Sequence, residues 1–210
     1  MAEGPEMSVR RLPLVLGLMV IFLAGALSRP ADSYAAPVQR SATTASLRVA
    51  AASVVRALQH RNGGALAGAA HPGKGVRFSP GAFVDPAHDV VLSRAAIRRL
   101  WTDPRVYKWG YTDGAGEPIE LTPAQYVARY TLPQRTIAPT SVSVDRDRAQ
   151  GNSTNNAATA YPRARRVEYY WNRLSPSADP QYDCLAVRLI FEPIKGSWFL
   201  VAIVRERWGP

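Results

Sequence analysis

The sequence predicts an α+β fold, with N-terminal helices packed on a curved antiparallel sheet that closes in a C-terminal β-hairpin. Three observations carry this. Leu47, Ala50, Ala51, Val54, Val55 and Leu58 recur at helical spacing and form one apolar stripe. Thr122-Pro123-Ala124-Gln125 places a cap residue, a proline at the first helical position and a Gln at the third, the pattern of a capping box. From Arg166 onward the chain turns to β-branched and aromatic segments separated by turn-forming stretches. Helices gathered early and strands gathered late make α+β rather than alternating α/β.

Residues 1–36 come first. Arg10-Arg11 precede an apolar run from Leu12 to Leu27, followed by Ser28-Arg29-Pro30 and the small residues Ser33-Tyr34-Ala35-Ala36. A positive end, a short apolar centre and a small-residue exit read as a secretory signal peptide. The run is shorter than the ~20 residues a spanning helix needs. Ser33 and Ala35 favour cleavage after Ala35; Ala24-Gly25-Ala26 is the alternative. Residues 37–45 read as a polar leader and 46–210 as one domain, long enough to bury its own core.

The expected helix from Ser46 ends at Asn62-Gly63-Gly64, where glycine tolerates a left-handed cap. A short helix over 65–70 stops at His71-Pro72-Gly73, and Gly75 to Phe78 reads as a brief strand. Residues 79–89, with two prolines, read as an ordered loop. Ser93 caps a helix reaching Trp101, with Ile97, Leu100 and Trp101 inward and Asp103-Pro104 as its stop. Arg105 to Tyr111 reads as a strand with Tyr107, Trp109 and Tyr111 on one face, followed by a turn over 112–116. The capped helix then runs from Pro123 to Thr131, with Leu121 and Tyr126 as a hydrophobic staple. Residues 134–160 are polar and read as irregular. Three strands follow, over 166–171, 185–192 and 198–205, the last two joined by Pro193-Ile194-Lys195-Gly196-Ser197. Leu185, Val187, Leu189 and Phe191 share one face, and Phe199, Val201 and Ile203 are expected to answer them.

Charge and cysteine content narrow the function. The chain carries 26 basic and 16 acidic residues, net +10, and residues 1–36 hold three of each, so the charge survives cleavage. Only Lys74, Lys108 and Lys195 are lysines. An arginine skew beside abundant Ala and Pro is what base composition alone produces; the functional alternative is attraction to anionic wall or membrane material. Nucleic acid is a poor partner, because no Lys/Arg-rich run interleaves with aromatics. Cys184 is the only cysteine, so the fold stands without an internal disulfide, and the residue reads as a small buried hydrophobe.

Several segments together resemble an uncharacterised family of exported bacterial proteins: His71-Pro72 with Gly75-Val76-Arg77-Phe78-Ser79-Pro80, Trp109-Gly110-Tyr111-Thr112-Asp113-Gly114, and Gly116-Glu117-Pro118-Ile119. Gly151-Asn152, Asn155-Asn156 and Tyr161-Pro162 extend the set, as do Val167-Glu168-Tyr169-Tyr170, Arg188-Leu189-Ile190-Phe191-Glu192 and Trp198 to Val204 with Trp208. The resemblance implies a small lipoprotein-like or secreted module without an assigned activity. This chain lacks the lipid-attachment cysteine and has Arg205-Glu206 where related chains resemble a His-Asp pair. The helix-first, terminal-hairpin layout is similar to the cone-shaped nuclear transport factor 2-like fold, which implies a cone.

Candidate pocket residues are Glu168, Arg188, Tyr107, Trp109, Tyr111 and Trp198. Glu168 and Arg188 interrupt otherwise apolar strands, so each needs a partner if buried. They make an internal salt bridge, lie on an exposed sheet face, or form a ligand seat in which Arg188 orients an acidic or carbonyl ligand and Glu168 acts as base. The aromatics serve either as core or as a stacking surface for a sugar or lipid. His60, His71 and His88 have no metal-ligand spacing, and Asp85 and Asp89 beside His88 read as caps and turns, so neither metal nor cofactor is expected. Three readings follow: an exported envelope or periplasmic module, monomeric or dimeric, that binds a small ligand or an envelope protein without catalysis; a small hydrolase- or isomerase-like enzyme using an interior polar pocket; and a basic surface binding anionic wall or membrane.

Overall fold

The first helix begins at Thr44, inside the expected leader and ahead of the expected start at Ser46, with Thr43 as its cap. The Thr43 side chain accepts from the Ser46 amide, and the Ser46 hydroxyl accepts from the Thr43 amide, closing a capping box at the head of α1 (Thr44–Gln59). Leu47, Ala51, Val54, Ala57 and Leu58 are its buried stripe. The computed structural model describes residues 42–112, 115–133, 138–148, 153–174 and 183–208. The expected signal peptide, most of the leader, Asp113-Gly114 of the expected turn and Gly151-Asn152 lie outside the described residues.

The end of α1 differs from expectation. The left-handed residue there is Arg61, at φ 52°, not a glycine. Asn62 caps the next helix instead, its Oδ1 accepting from the Ala65 amide at 2.9 Å to begin α2 (Gly63–Ala69). Ser93 caps α3 (Arg94–Arg98), which stops short of Trp101 and passes into turns up to Asp103. Thr122 and Gln125 make the expected capping box at α4 (Pro123–Tyr130). A short α5 (Ala157–Ala160) interrupts the stretch expected to be irregular.

The described strands form a six-stranded sheet and a separate two-stranded ribbon. The strands are β1 (Val76–Ser79), β2 (Val90–Leu92), β3 (Tyr107–Tyr111), β4 (Pro118–Leu121), β5 (Ser141–Val144), β6 (Arg165–Trp171), β7 (Cys184–Ile194) and β8 (Ser197–Trp208). The large sheet runs β2-β1-β8-β7-β6-β5, and β3 pairs with β4. The α+β class holds, but the sheet is mixed rather than antiparallel, because β1 lies parallel to β8. A strand arriving from the N-terminal helices meets β8 in that direction, which periodicity within either strand does not reveal.

The terminal hairpin is tighter than expected. Ile194 pairs with Ser197, and only Lys195 and Gly196 form the turn, at φ 47° and 77°. Positive φ at both positions is the type I′ turn, whose twist matches that of the strands. A β-bulge between Ile190 and Phe191 then corrects the expected facing set: Phe191 pairs with Leu200 and Ile190 with Ala202, so Val201 is the extra residue. Leu200 and Ile203 join Leu185, Val187, Leu189 and Phe191 on the front face beneath α1, while Val201, Ala202 and Val204 join Ile190 on the back. Phe78, Trp109 and Tyr126 complete the front core, with Trp109 stacked on Tyr126 at 3.9 Å between centroids.

The back face is covered by chain rather than by a helical layer. The 80–89 loop and the 153–164 segment lie over it and are tied together by Asn156, whose Oδ1 accepts from the Val84 amide at 2.7 Å while its Nδ2 donates to the Val84 carbonyl at 3.0 Å. Arg77 reinforces the tie, donating to Tyr161 Oη and to the Asp85 carbonyl.

Candidate functional site

Alternation along β6 and β7 puts Glu168 and Arg188 on the back face and directly opposite each other in the register. Arg188 Nε donates to Glu168 Oε2 at 3.0 Å, and Arg188 Nη2 donates to Glu206 Oε2 on β8 at 2.5 Å. Asp147 approaches the same Nε at 3.4 Å and is itself held by Arg166 through a two-pronged contact of 2.8 and 3.0 Å. Glu168 Oε1 accepts from the Arg148 amide at 2.6 Å. Three carboxylates therefore surround one guanidinium that is 0% exposed. Beside them Tyr170 donates to Cys184 Sγ at 3.3 Å. Cys184 is half-buried, not the fully buried hydrophobe expected.

Burial pushes the Glu168 carboxyl upward, against the Arg148 amide and Arg188, which pull it down. Burial also acts upward on Asp147, but the Arg166 hydrogen bonds and the Arg188 charge outweigh it and hold that carboxyl below its ordinary value. Burial, with the bond to Cys184 second, pushes the Tyr170 hydroxyl up to about 12. Arg188 Nη1 is buried without a hydrogen-bond partner among the described residues, but Glu168 is occupied. Both Glu168 oxygens accept from protein donors, and a general base needs a lone pair within reach of a substrate proton.

The aromatic candidates do not gather with this pair. Trp109 is buried in the front core, donating from Nε1 to the Leu121 carbonyl at 2.8 Å. Tyr107 donates to Asp103 Oδ2 at 3.1 Å, where Arg105 also grips that carboxylate. Trp198 Nε1 donates to the Thr43 carbonyl and the Ser46 hydroxyl, pinning the start of α1 to the hairpin. Tyr111 is 57% exposed and covered by Lys108, so the expected common face of Tyr107, Trp109 and Tyr111 is broken. The register shift between Lys108 and Tyr111 is the cause. Asp85 and Asp89 act as turn acceptors: Asp85 Oδ1 takes the Ala87 and His88 amides, and Asp89 Oδ2 takes the Asp85 amide and the Ser79 hydroxyl.

An open cleft of about 480 Å³ lies at the far end of the front face, between the C-terminal end of α4 and the ends of β7 and β8. Arg129, Tyr130, Leu132, Leu185, Arg205 and Arg207 are among its walls. Sequence reading missed it. The legible signal was that Arg205 and Arg207 continue the period-2 series of Ile203 on the core-facing side of β8, where apolar residues belong. Neither this cleft nor a smaller one of about 230 Å³ beside it is lined by Glu168 or Arg188.

The frame is thus an α+β domain with helices over one sheet face, a charge cluster closed beneath the other, and an open cleft at the uncovered end of the helical side. No protein-family model and no curated protein matches the chain.

Proposed function

We propose that this chain is an exported, non-catalytic module that binds a small ligand in the front-face cleft. One observation carries the choice over an enzyme built on Glu168: both Glu168 oxygens accept from protein donors beneath covering chain, while a cleft opens on the opposite face. A volume of about 480 Å³ falls within the roughly 300–1,000 Å³ of small-molecule sites. Export rests on the N-terminal pattern of residues 1–36 and on the resemblance to exported bacterial proteins; among the described residues no helix is long and apolar enough to cross a membrane.

Native mass spectrometry of the chain after incubation with an envelope extract tests the binding reading. A retained small molecule recovered with its mass unchanged is the expected result. Conversion of that molecule, lost in Glu168→Gln, would return the function to the enzyme reading. Fractionation of cells making a C-terminally tagged full chain tests export: the expected product is shortened and outside the cytoplasm, and an intact cytoplasmic product contradicts it.

A further inference from the structure

The helical layer over the front face carries charge of one sign. No Asp or Glu occurs between Asp32 and Asp85, nor from Val90 to Thr102, so α1, α2 and α3 contain none. Exposed positions there hold Arg48 and Arg56 on α1, Arg61 where α1 passes into α2, and Arg98 and Arg99 at the end of α3. None of these five joins an ion pair among the described residues. Arg56 donates to the neutral Ser53 hydroxyl at 3.1 Å, and Asp103, which follows α3, is gripped by Arg105. The helix dipole accounts for cations in a last turn, as at Arg56 and Arg98, but it equally favours acids in a first turn, and α1, α2 and α3 have none there. Base composition sets how many arginines the chain has. It does not set which side lacks carboxylates, and Asp147, Glu168 and Glu206 all lie behind the sheet.

The relief of this face favours a flat partner. Between the arginines the exposed residues are short: Ala45, Ala52, Gly64, Ala65 and Gly68, with Val49 at 64% exposure beside Arg48. Long guanidinium stems on so low a surface reach a facing plane first. Arg48 and Arg56 are eight residues apart, about 12 Å along α1. Arg98 lies across α2 from them, where a Cβ built on Gly63 would come within 2.3 Å of the Arg98 carbonyl oxygen. The cations therefore spread in two dimensions over three helices. A linear polyanion would pair with a single file of such charges and leave the others unmatched, whereas a sheet of phosphates meets them all, and each guanidinium fork fits a phosphate through two parallel bonds.

We infer that the outer face of α1, α2 and α3 docks on the surface of an anionic phospholipid bilayer, with Arg48, Arg56, Arg61, Arg98 and Arg99 facing the lipid phosphates. This surface is separate from the cleft reading. A chain that retains a small molecule and ignores vesicles loses only the docking surface, and a chain that associates with vesicles and retains nothing loses only the cleft.

Cosedimentation of the full chain with two kinds of vesicle tests it, one of phosphatidylcholine alone and one of equimolar phosphatidylcholine and phosphatidylglycerol. The apolar run from Leu12 to Leu27 meets the same hydrocarbon in either, so the ratio of the two affinities reads the charge. A preference for the phosphatidylglycerol vesicles is expected, and it should collapse as added salt shortens the screening length from about 10 Å at 0.1 M to about 3 Å at 1 M. The triple variant Arg48→Gln, Arg56→Gln, Arg98→Gln should lower the ratio about a hundredfold, roughly fivefold for each arginine near a charged surface. Removing as many charges from exposed positions around the back-face cluster, by Arg146→Gln, Arg148→Gln and Arg163→Gln, should leave most of the ratio in place. Should the front triple lose its circular dichroism signature, Arg48→Gln and Arg99→Gln taken singly should each still lower the ratio about fivefold. Equal affinity for the two vesicles, a preference that survives high salt, or equal losses in the two triples overturns the inference. Binding to polyphosphate without a preference between the vesicles overturns it in favour of a linear polyanion.

Discussion

At the scale of single residues, Arg188 carries the most consequence. Removing its charge strands Glu168 and Glu206, both almost wholly buried, without their guanidinium. Arg188→Met should cost about 3–5 kcal/mol in urea unfolding, the usual penalty for breaking a buried pair by deleting one partner. The triple variant Glu168→Gln, Arg188→Met, Glu206→Gln should recover a large part of that loss, because no uncompensated charge remains. Loss of the molecule retained from an envelope extract by a folded Arg188→Met chain would instead make Arg188 a ligand contact. Asp103 gives a pH test. The hydrogen bonds from Arg105, with Tyr107 contributing, hold its carboxyl well below the usual carboxylate range. A depressed carboxyl stabilises the fold above the unfolded value, about 3.9, and that contribution is lost as pH falls through the folded value. The stability difference between wild type and Asp103→Asn should therefore be constant above about pH 5 and shrink below about pH 4. A difference that grows on acidification contradicts the assignment.

The charged pair was legible because Glu168 and Arg188 stand in runs of apolar residues, where an ionised side chain demands a partner. Glu206 was not. Its place opposite Ala186 depends on a two-residue hairpin turn, whereas the sequence suggested a five-residue link, and link length sets cross-strand register.

At the scale of elements, local chemistry and tertiary context divide cleanly. The caps at Thr43, Ser93 and Thr122 act within three residues of themselves, and the Ser93 and Thr122 starts were readable from sequence. The short strands β2, β4 and β5 were not, since three or four residues carry little periodicity and Ser141-Val142-Ser143-Val144 becomes a strand only by pairing with β6. The bulge at Val201 hid the true facing set for the same reason: it is a property of two paired strands. Thr122→Ala should cost about 1 kcal/mol through loss of the cap. Gly75→Ala should cost more. Gly75 has φ 68° and a Cβ there would lie 2.3 Å from the Leu92 carbonyl oxygen, where β1 meets β2. The left-handed backbone alone costs roughly 1–2 kcal/mol, and the clash adds about 1–3 kcal/mol. Chemical denaturation of the two variants side by side checks the order; a Gly75→Ala chain as stable as Thr122→Ala would mean that the β1–β2 edge yields freely.

At the scale of the whole molecule, the sheet separates two kinds of charge. The back face closes over paired carboxylates and guanidiniums, and the front face ends in arginines beside an open cleft. The net +10 of the sequence gave no address for that charge, since a sum over residues is blind to which side of a strand each occupies. The most direct test is an amide chemical-shift map of the full chain with and without the molecule it retains from an envelope extract. Binding at the cleft should move the signals of Thr131, Leu132, Leu174 and Arg207 and leave those of Arg148, Glu168 and Arg188 in place. Shifts centred on Arg148, Glu168 and Arg188, with the cleft residues still, would contradict it.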